Sequence, residues 1–341
     1  MGLSQSSLLF ASLTLISVCC VSNNPAGTAR YENPAYSDEL KGYFFCGEDP
    51  AFAAFAAGGS SVVWISEPAN NRLWYKDVSK AIVNPLICDT LTVDFSPGLI
   101  AVPPAGDFIF VCSYNSNGVY AVNTETLKWE RVFTNTSSVK TMQLSSDGNT
   151  LYLGSLGSPW HIEAVSTSNW SSITGVSMEW PVLRLALSPD NSLLAAGNSG
   201  LSEILLFDAS DLSPIDTLFM PMRVGTMAFT SDSENLVVFD AASDRPLIVR
   251  MNVATGEEEY RSTSYCSYLE NERIHGSNTL LLPRNQDESI SVLNMDNMIF
   301  APSIQQIDRI NAVCVSLDGA YIVSVSRTAT PGRAYVFSDG D

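Results

Sequence analysis

One phrase, repeated at a fixed interval, constrains the fold of this chain more than any other feature. The run LSSDGNTLYL from Leu144 returns in part as SNTLLL from Ser277. Related phrases are LTVDFSP from Leu91, VKTMQLSSDG from Val139, VLRLALSPDN from Val182, VGTMAFTSDS from Val224 and INAVCVSLDG from Ile310. Each reads as about six residues of apolar strand followed by Ser or Thr. In the last four an Asp-led turn follows, where short side chains hydrogen-bond the bending backbone. Taking the end of the turn as a marker gives Gly59, Gly106, Gly148, Asn191, Glu234, Ser277 and Gly319, a period of about 43 residues.

After each turn comes a second strand (FIFVCS, TLYLGS, LLAAGN, LVVFDA, TLLLPR, YIVSVS), then a third that turns back into a fourth, as in GVYAVNTETLKWERVF and EILLFDASDLSPIDTLF. Four short strands per period, with no helical pattern between them, make one blade of a β-propeller. A long β-sandwich would not keep a constant period. The last unit offers only three strands before Asp341, whereas KGYFFCG from Lys41 is an extra run ahead of the first unit. If that run supplies the missing outer strand, the ring closes and no open edge is left. The expected fold is all-β, a seven-bladed propeller of four-stranded antiparallel blades over residues 41–341, closed by an N-terminal strand.

The phrases SPDN at Ser188, SSDG at Ser145, SLDG at Ser316, LLFDASDLSP and RMNVATGEEE resemble those of WD-repeat-like and YVTN-type propellers, over about residues 41–341. No blade has a Gly-His pair, and the nearest match to a Trp-Asp ending is Phe207-Asp208. The chain therefore looks more like the looser YVTN and quinoprotein-like propellers. The resemblance implies an architecture rather than an activity. It also implies that a site would lie at the channel mouth, among the loops joining second to third strands and one blade to the next.

The chain carries 18 basic and 36 acidic residues, a net charge of −18, so its field repels phosphate backbones and argues against nucleic acid as a partner. The apolar core from Leu8 to Val21 is short for a bilayer span and is followed by small and polar residues. Residues 1–29 thus read as a secretory signal cleaved after Ala29, and 30–40 as a linker, leaving no transmembrane segment in the mature chain. The alternatives are lipid anchors: myristoylation at Gly2 with palmitoylation at Cys19 and Cys20, or a lipoprotein cysteine at either position. Cys46, Cys88, Cys112, Cys266 and Cys314 remain, with no metal or redox spacing and too sparse for a disulfide scaffold. Asn135-Thr136-Ser137 and Asn169-Trp170-Ser171 are glycosylation acceptors in a eukaryotic host.

Catalytic sets are scarce. His161 and His275, the only histidines, fall on opposite faces of the expected ring and read as structural. No Gly-x-Ser-x-Gly elbow, haem-attachment pattern or phosphate loop occurs, and SSDGNT lacks the spacing and the closing Trp of a sialidase Asp-box. Glu48, Asp49, Glu67, Glu179, Asp240, Asp244, Asp287, Glu288 and Asp308 reach the expected rim, where a hard cation such as calcium could find oxygen ligands. Trp160, Trp180, Arg223 and Arg309 fall on the same rim and are favoured contact types. Lys140, Arg184 and Asp94 interrupt the innermost apolar strands and need partners across blades or along the channel.

The expectation is a secreted or surface-exposed, monomeric, non-enzymatic propeller that needs no cofactor. It binds a protein or glycan ligand at its rim through Trp160, Trp180, Arg223, Arg309 and Asp244. The alternatives are a metal-dependent lactonase-like hydrolase using the acidic mouth and, more remotely, a quinoprotein-like redox partner.

Overall fold

The computed structural model describes residues 40–56, 61–80, 88–104, 106–135, 137–241, 246–263, 272–273, 277–284, 288–305, 308–326 and 331–338. The segments 1–29 and 30–39, together with Asp244, Cys266, His275 and Asp287, lie outside the described residues.

Seven four-stranded antiparallel sheets make seven blades. Their innermost strands are Phe52–Phe55, Pro97–Ala101, Val139–Leu144, Arg184–Leu187, Val224–Phe229, Glu272–Arg273 and Ala312–Val315. Blades 1 to 6 each use four consecutive strands. In blade 7 the outermost place is taken by Leu40–Phe45, paired antiparallel with Arg333–Ser338 so that Tyr43 faces Tyr335 and Phe45 faces Arg333. The N-terminal run therefore closes the ring as its sequence predicts.

Burial follows from blades standing face to face. An inner strand packs against a neighbour on both sides, so it reads as a continuous apolar run; Val224–Phe229 is buried throughout. An outermost strand diverges from its neighbours and alternates, as in Ser172–Ser177 and Glu258–Thr263. The core is accordingly a series of interfaces between blades. Tyr152, Ile162 and Ala164 of blade 3 meet Leu185, Leu194 and Phe207 of blade 4. Leu206 and Leu218 of blade 4 meet Met227 and Phe229 of blade 5. Phe44 and Val336 of blade 7 meet Val63 and Ile65 of blade 1.

Among the described residues the repeated phrase forms the same hydrogen-bonded turn four times. Ser145 Oγ donates to Asp147 Oδ1 at 2.6 Å and accepts the Thr150 N–H at 2.9 Å. The same pair of bonds recurs around Ser188 and Asp190, Thr230 and Asp232, and Ser316 and Asp318. These turns also join blades, since Ser146 N–H donates to Asn191 Oδ1 and Ser231 N–H to Asn278 Oδ1. At the third-to-fourth-strand hairpins of blades 2 to 6, a residue in the left-handed region ends the turn: Leu127, Trp170, Leu212, Gly256 and Met298. Asn123 and Asn294 side chains accept backbone N–H groups in the turns that end at Leu127 and Met298, offsetting the cost of that conformation for a non-glycine residue.

One strand differs from the sequence reading. The run LTVDFSP does not form the inner strand of blade 2; Asp89–Thr92 is the outermost strand of blade 1, and the inner strand of blade 2 is Pro97–Ala101. Ser96-Pro97 resembles the Ser-Pro of the other turns, yet here Ser96 donates its hydroxyl to Pro68 O and its carbonyl accepts the Tyr114 N–H. The blade 2 turn comes a few residues later, near Gly106, and Asp94 is exposed in the connection between blades rather than set in an inner strand.

Arg184 does interrupt an inner strand, and it is buried. It donates to Gly225 O in the inner strand of blade 5, while Gln143 of blade 3 donates to Leu185 O of blade 4. A methyl group on Gly225 would stand 2.7 Å from Phe239 O, so only glycine fits there. Lys140 is half-buried in the inner strand of blade 3.

Candidate functional site

The loops joining second to third strands and those joining blades share one face of the ring, and the sequence-derived candidates among the described residues distribute around it. Two of them lie on segments joined by a backbone hydrogen bond. Trp160 lies in the second-to-third-strand loop of blade 3, Trp180 in the linker from blade 3 to blade 4, and Met178 N–H donates to Trp160 O at 2.9 Å. Val182 N–H donates to Ser155 O, fixing the far end of the linker against the same loop. Pro181 O then accepts Asn198 Nδ2 at 2.7 Å, and Ser202 O accepts Met220 N–H at 2.8 Å. Hydrogen bonds thus run unbroken from the blade 3 loop through the linker to the blade 4 loop and the end of its outermost strand, Pro214–Phe219.

This corner keeps apolar surface in water. Phe219 is 75% exposed and Leu156 45%, and Trp160 and Trp180 are half-buried. The Trp160 indole N–H is already given to Leu156 O at 3.2 Å. Glu203 faces Phe219 across the strand pair, and Glu179 is exposed in the linker. Sequence reasoning found Trp160, Trp180 and Glu179 but missed Leu156, Phe219 and Glu203. Alternation along the strand was the available signal for Phe219, because Leu218 packs inward toward blade 5.

The other candidates stand apart. Arg223 is exposed at the junction of blades 4 and 5, and Arg309 is exposed at the junction of blades 6 and 7. The carboxylates have separate engagements. Glu67 is fully buried and accepts from Glu48 N–H, Asn70 Nδ2 and Trp74 Nε1. Asp308 accepts the Tyr335 hydroxyl and pairs with Arg333 Nη1 at 3.3 Å. The Arg333 guanidinium also lies over the Tyr43 and Phe45 rings, 5.2 and 5.9 Å from their centroids. Burial, with the Asp308 charge and hydrogen bond adding to it, pushes the Tyr335 phenol up to about 12. Glu48 and Glu288 are exposed and Asp240 is buried. Among the described residues no group of three or more His, Cys, Asp or Glu side chains is placed to hold a metal ion.

His161 is buried where the third strand of blade 3 begins. Its Nδ1 lies 2.9 Å from Pro159 O and its Nε2 2.7 Å from Asn135 Oδ1. Asn135, one of the two glycosylation acceptors, is 2% exposed, whereas Asn169 is exposed. Cys46, Cys112 and Cys314 are buried and Cys88 half-buried, with no disulfide between them. Burial raises the Cys88 thiol to about 12, an unreactive setting. Among the described residues no helix is long and apolar enough to cross a membrane.

No family model and no curated protein matches this chain. Its fold is similar to that of a chain in the hydrazine synthase of Kuenenia stuttgartiensis, with a TM-score of 0.72, 14% identity and coverage of 87% of this chain and 98% of that one. A chain of a mitotic checkpoint complex is similar as well, with a TM-score of 0.73, 15% identity and coverage of 92% and 99%. At such identities the likeness is one of fold alone.

Proposed function

We propose that this protein is an exported, monomeric, non-enzymatic propeller of the YVTN or quinoprotein-like kind, which binds a protein or glycan ligand across its loop-bearing rim. Contacts would come from Trp160 and Trp180 first, with Arg223, Arg309 and Asp244 around them. The observation that supports this most is the junction of blades 3 and 4, where the linker that carries Trp180 is bonded through Met178 N–H to Trp160 O, and where Phe219 of blade 4 is left largely in solvent. Exposed aromatic surface held on a rigid frame suits recognition, and it supplies neither a nucleophile nor a base.

A binding screen tests the reading. The purified protein is presented to arrays of secreted-protein ectodomains and of glycans, alongside two rim variants, Trp160→Ser and Arg309→Ala, and a variant on the opposite face, Asp211→Asn. Partners on this reading are lost with the rim variants and kept with Asp211→Asn. Turnover of lactones or esters that depends on an added divalent cation and is lost on changing a rim carboxylate would replace it with the hydrolase reading.

A further inference from the structure

We propose that the corner between blades 3 and 4 takes an extended polypeptide segment carrying Lys or Arg beside large apolar side chains. This rests on the rim-binding reading above and narrows its ligand to one class.

The surface itself argues against a glycan. Sugar hydroxyls ask for dense hydrogen bonding, whereas Leu156 and Phe219 offer none and the Trp160 indole N–H is already given to Leu156 O. What the corner does offer is apolar area in water, which an apolar side chain would cover.

Charge selects the rest of the partner. Between residues 141 and 222 the sequence holds eight acidic residues and one basic residue, Arg184. Arg184 is buried and its guanidinium donates to Gly225 O and Leu183 O, so it adds little cationic field outside. Glu179 is exposed in the linker, and Glu203 is the register partner of Phe219, which sets its carboxylate next to the phenyl ring. The next exposed cation, Arg223, belongs to the junction of blades 4 and 5, where its carbonyl accepts Ala241 N–H. A negative field around an apolar patch, on a chain of net charge −18, favours a cationic partner with apolar side chains. Pro214–Phe219 is moreover the last strand of its sheet, and an extended segment can add to such a strand through backbone hydrogen bonds.

The test uses the full chain and a fluorescein-labelled synthetic peptide alternating Lys with Leu and Phe, read by fluorescence anisotropy. A matched peptide with Glu in place of Lys and a neutral oligosaccharide serve as competitors. Phe219→Ser and Glu203→Gln alter exposed or half-exposed positions and should leave the melting temperature unchanged. Each is expected to weaken the Lys peptide by about tenfold. Glu125→Gln and Glu257→Gln, exposed on hairpins of blades 2 and 5, are expected to leave it unchanged. No binding, or equal weakening by all four variants, overturns the proposal, the latter by showing charge attraction without a site. A screened partner that needs Trp160 or Arg309 but ignores Phe219 and Glu203 also overturns it, while the rim reading stands. Absence of any rim-dependent partner removes both.

Discussion

Arg184 Nε of blade 4 donates to Gly225 O of blade 5 at 2.5 Å, so a buried guanidinium spans the inner strands of neighbouring blades. Its Nη1 donates to Leu183 O at 2.7 Å, which fixes the side chain from its own strand. Both acceptors are backbone carbonyls that lose a charged donor if the side chain is cut back. Arg184→Ala is expected to cost about 1.5–3 kcal/mol, read as a lower urea midpoint at an unchanged slope. A midpoint equal to that of the parent would show that the bridge contributes nothing.

Ring closure gives a second expectation. Phe44 of the closing strand is fully buried against blade 1, and Lys76 Nζ approaches its ring at 5.7 Å. Phe44→Ala removes a large side chain from a packed interface and is expected to cost about 3–5 kcal/mol. A chain beginning at Cys46 would lose the strand altogether and leave Arg333–Ser338 as a bare, apolar edge. That form is expected to self-associate, seen as a concentration-dependent mass in light scattering. A monomeric truncated form with the parent's melting temperature would contradict the closure argument.

The architecture was legible because the turn carrying the period is local chemistry: Ser145, Asp147 and Thr150 make their bonds within six residues, and the same residue types recur in four blades. The first strand of blade 2 was misplaced for the same reason, since Ser96-Pro97 imitates the turn while its bonds go to Pro68 and Tyr114. Half of the candidate corner could be read from the chain. Trp160 and Trp180 stand out as residue types, but Leu156 and Phe219 are ordinary apolar residues: the exposure of Leu156 is set by its loop in blade 3, and that of Phe219 by how far the outermost strand of blade 4 diverges from blade 3. That divergence belongs to the ring and has no signature in a six-residue window. The neighbourhood of Glu203 and Phe219 is likewise set by strand register.

The repeated turns should also govern acid stability. The Ser145 hydroxyl bond holds Asp147 below the ordinary carboxylate range. For Asp190 and Asp232 burial pushes upward, but hydrogen bonds from Ser188 and Ser192, and from Thr230 and the Glu234 N–H, outweigh it and lower both. A carboxyl depressed in the folded state binds fewer protons there than in the unfolded chain. Its contribution is therefore complete above the unfolded value of about 3.9 and disappears as pH falls through the folded value. Urea unfolding from neutral to acidic pH should show a shallower loss of stability in the triple variant Asp147→Asn, Asp190→Asn, Asp232→Asn than in the parent. Each turn is worth about 0.5–1.5 kcal/mol at most, because these carboxylates are partly solvated. Identical acid slopes would assign the effect elsewhere.

The two glycosylation acceptors separate sharply in the fold. Asn169 is exposed, and the turn uses only its Oδ1, which accepts Ser171 N–H at 3.1 Å and Ser171 Oγ at 2.7 Å; a glycan on Nδ2 would extend into solvent. Asn135 is buried: its Oδ1 meets His161 Nε2, its carbonyl accepts Asn117 Nδ2, and its own Nδ2 lies inside the protein. A glycan there would have to break the His161 contact and part blade 2 from blade 3. On export through a glycosylating pathway, peptide mass spectrometry is expected to find Asn169 occupied and Asn135 bare. Asn169→Gln should then remove the whole glycan mass without changing the melting temperature, and Asn135→Gln should lower the melting temperature without changing the mass shift. A glycopeptide containing Asn135, recovered from folded protein, would mean that this junction between blades opens more readily than its hydrogen bonds imply.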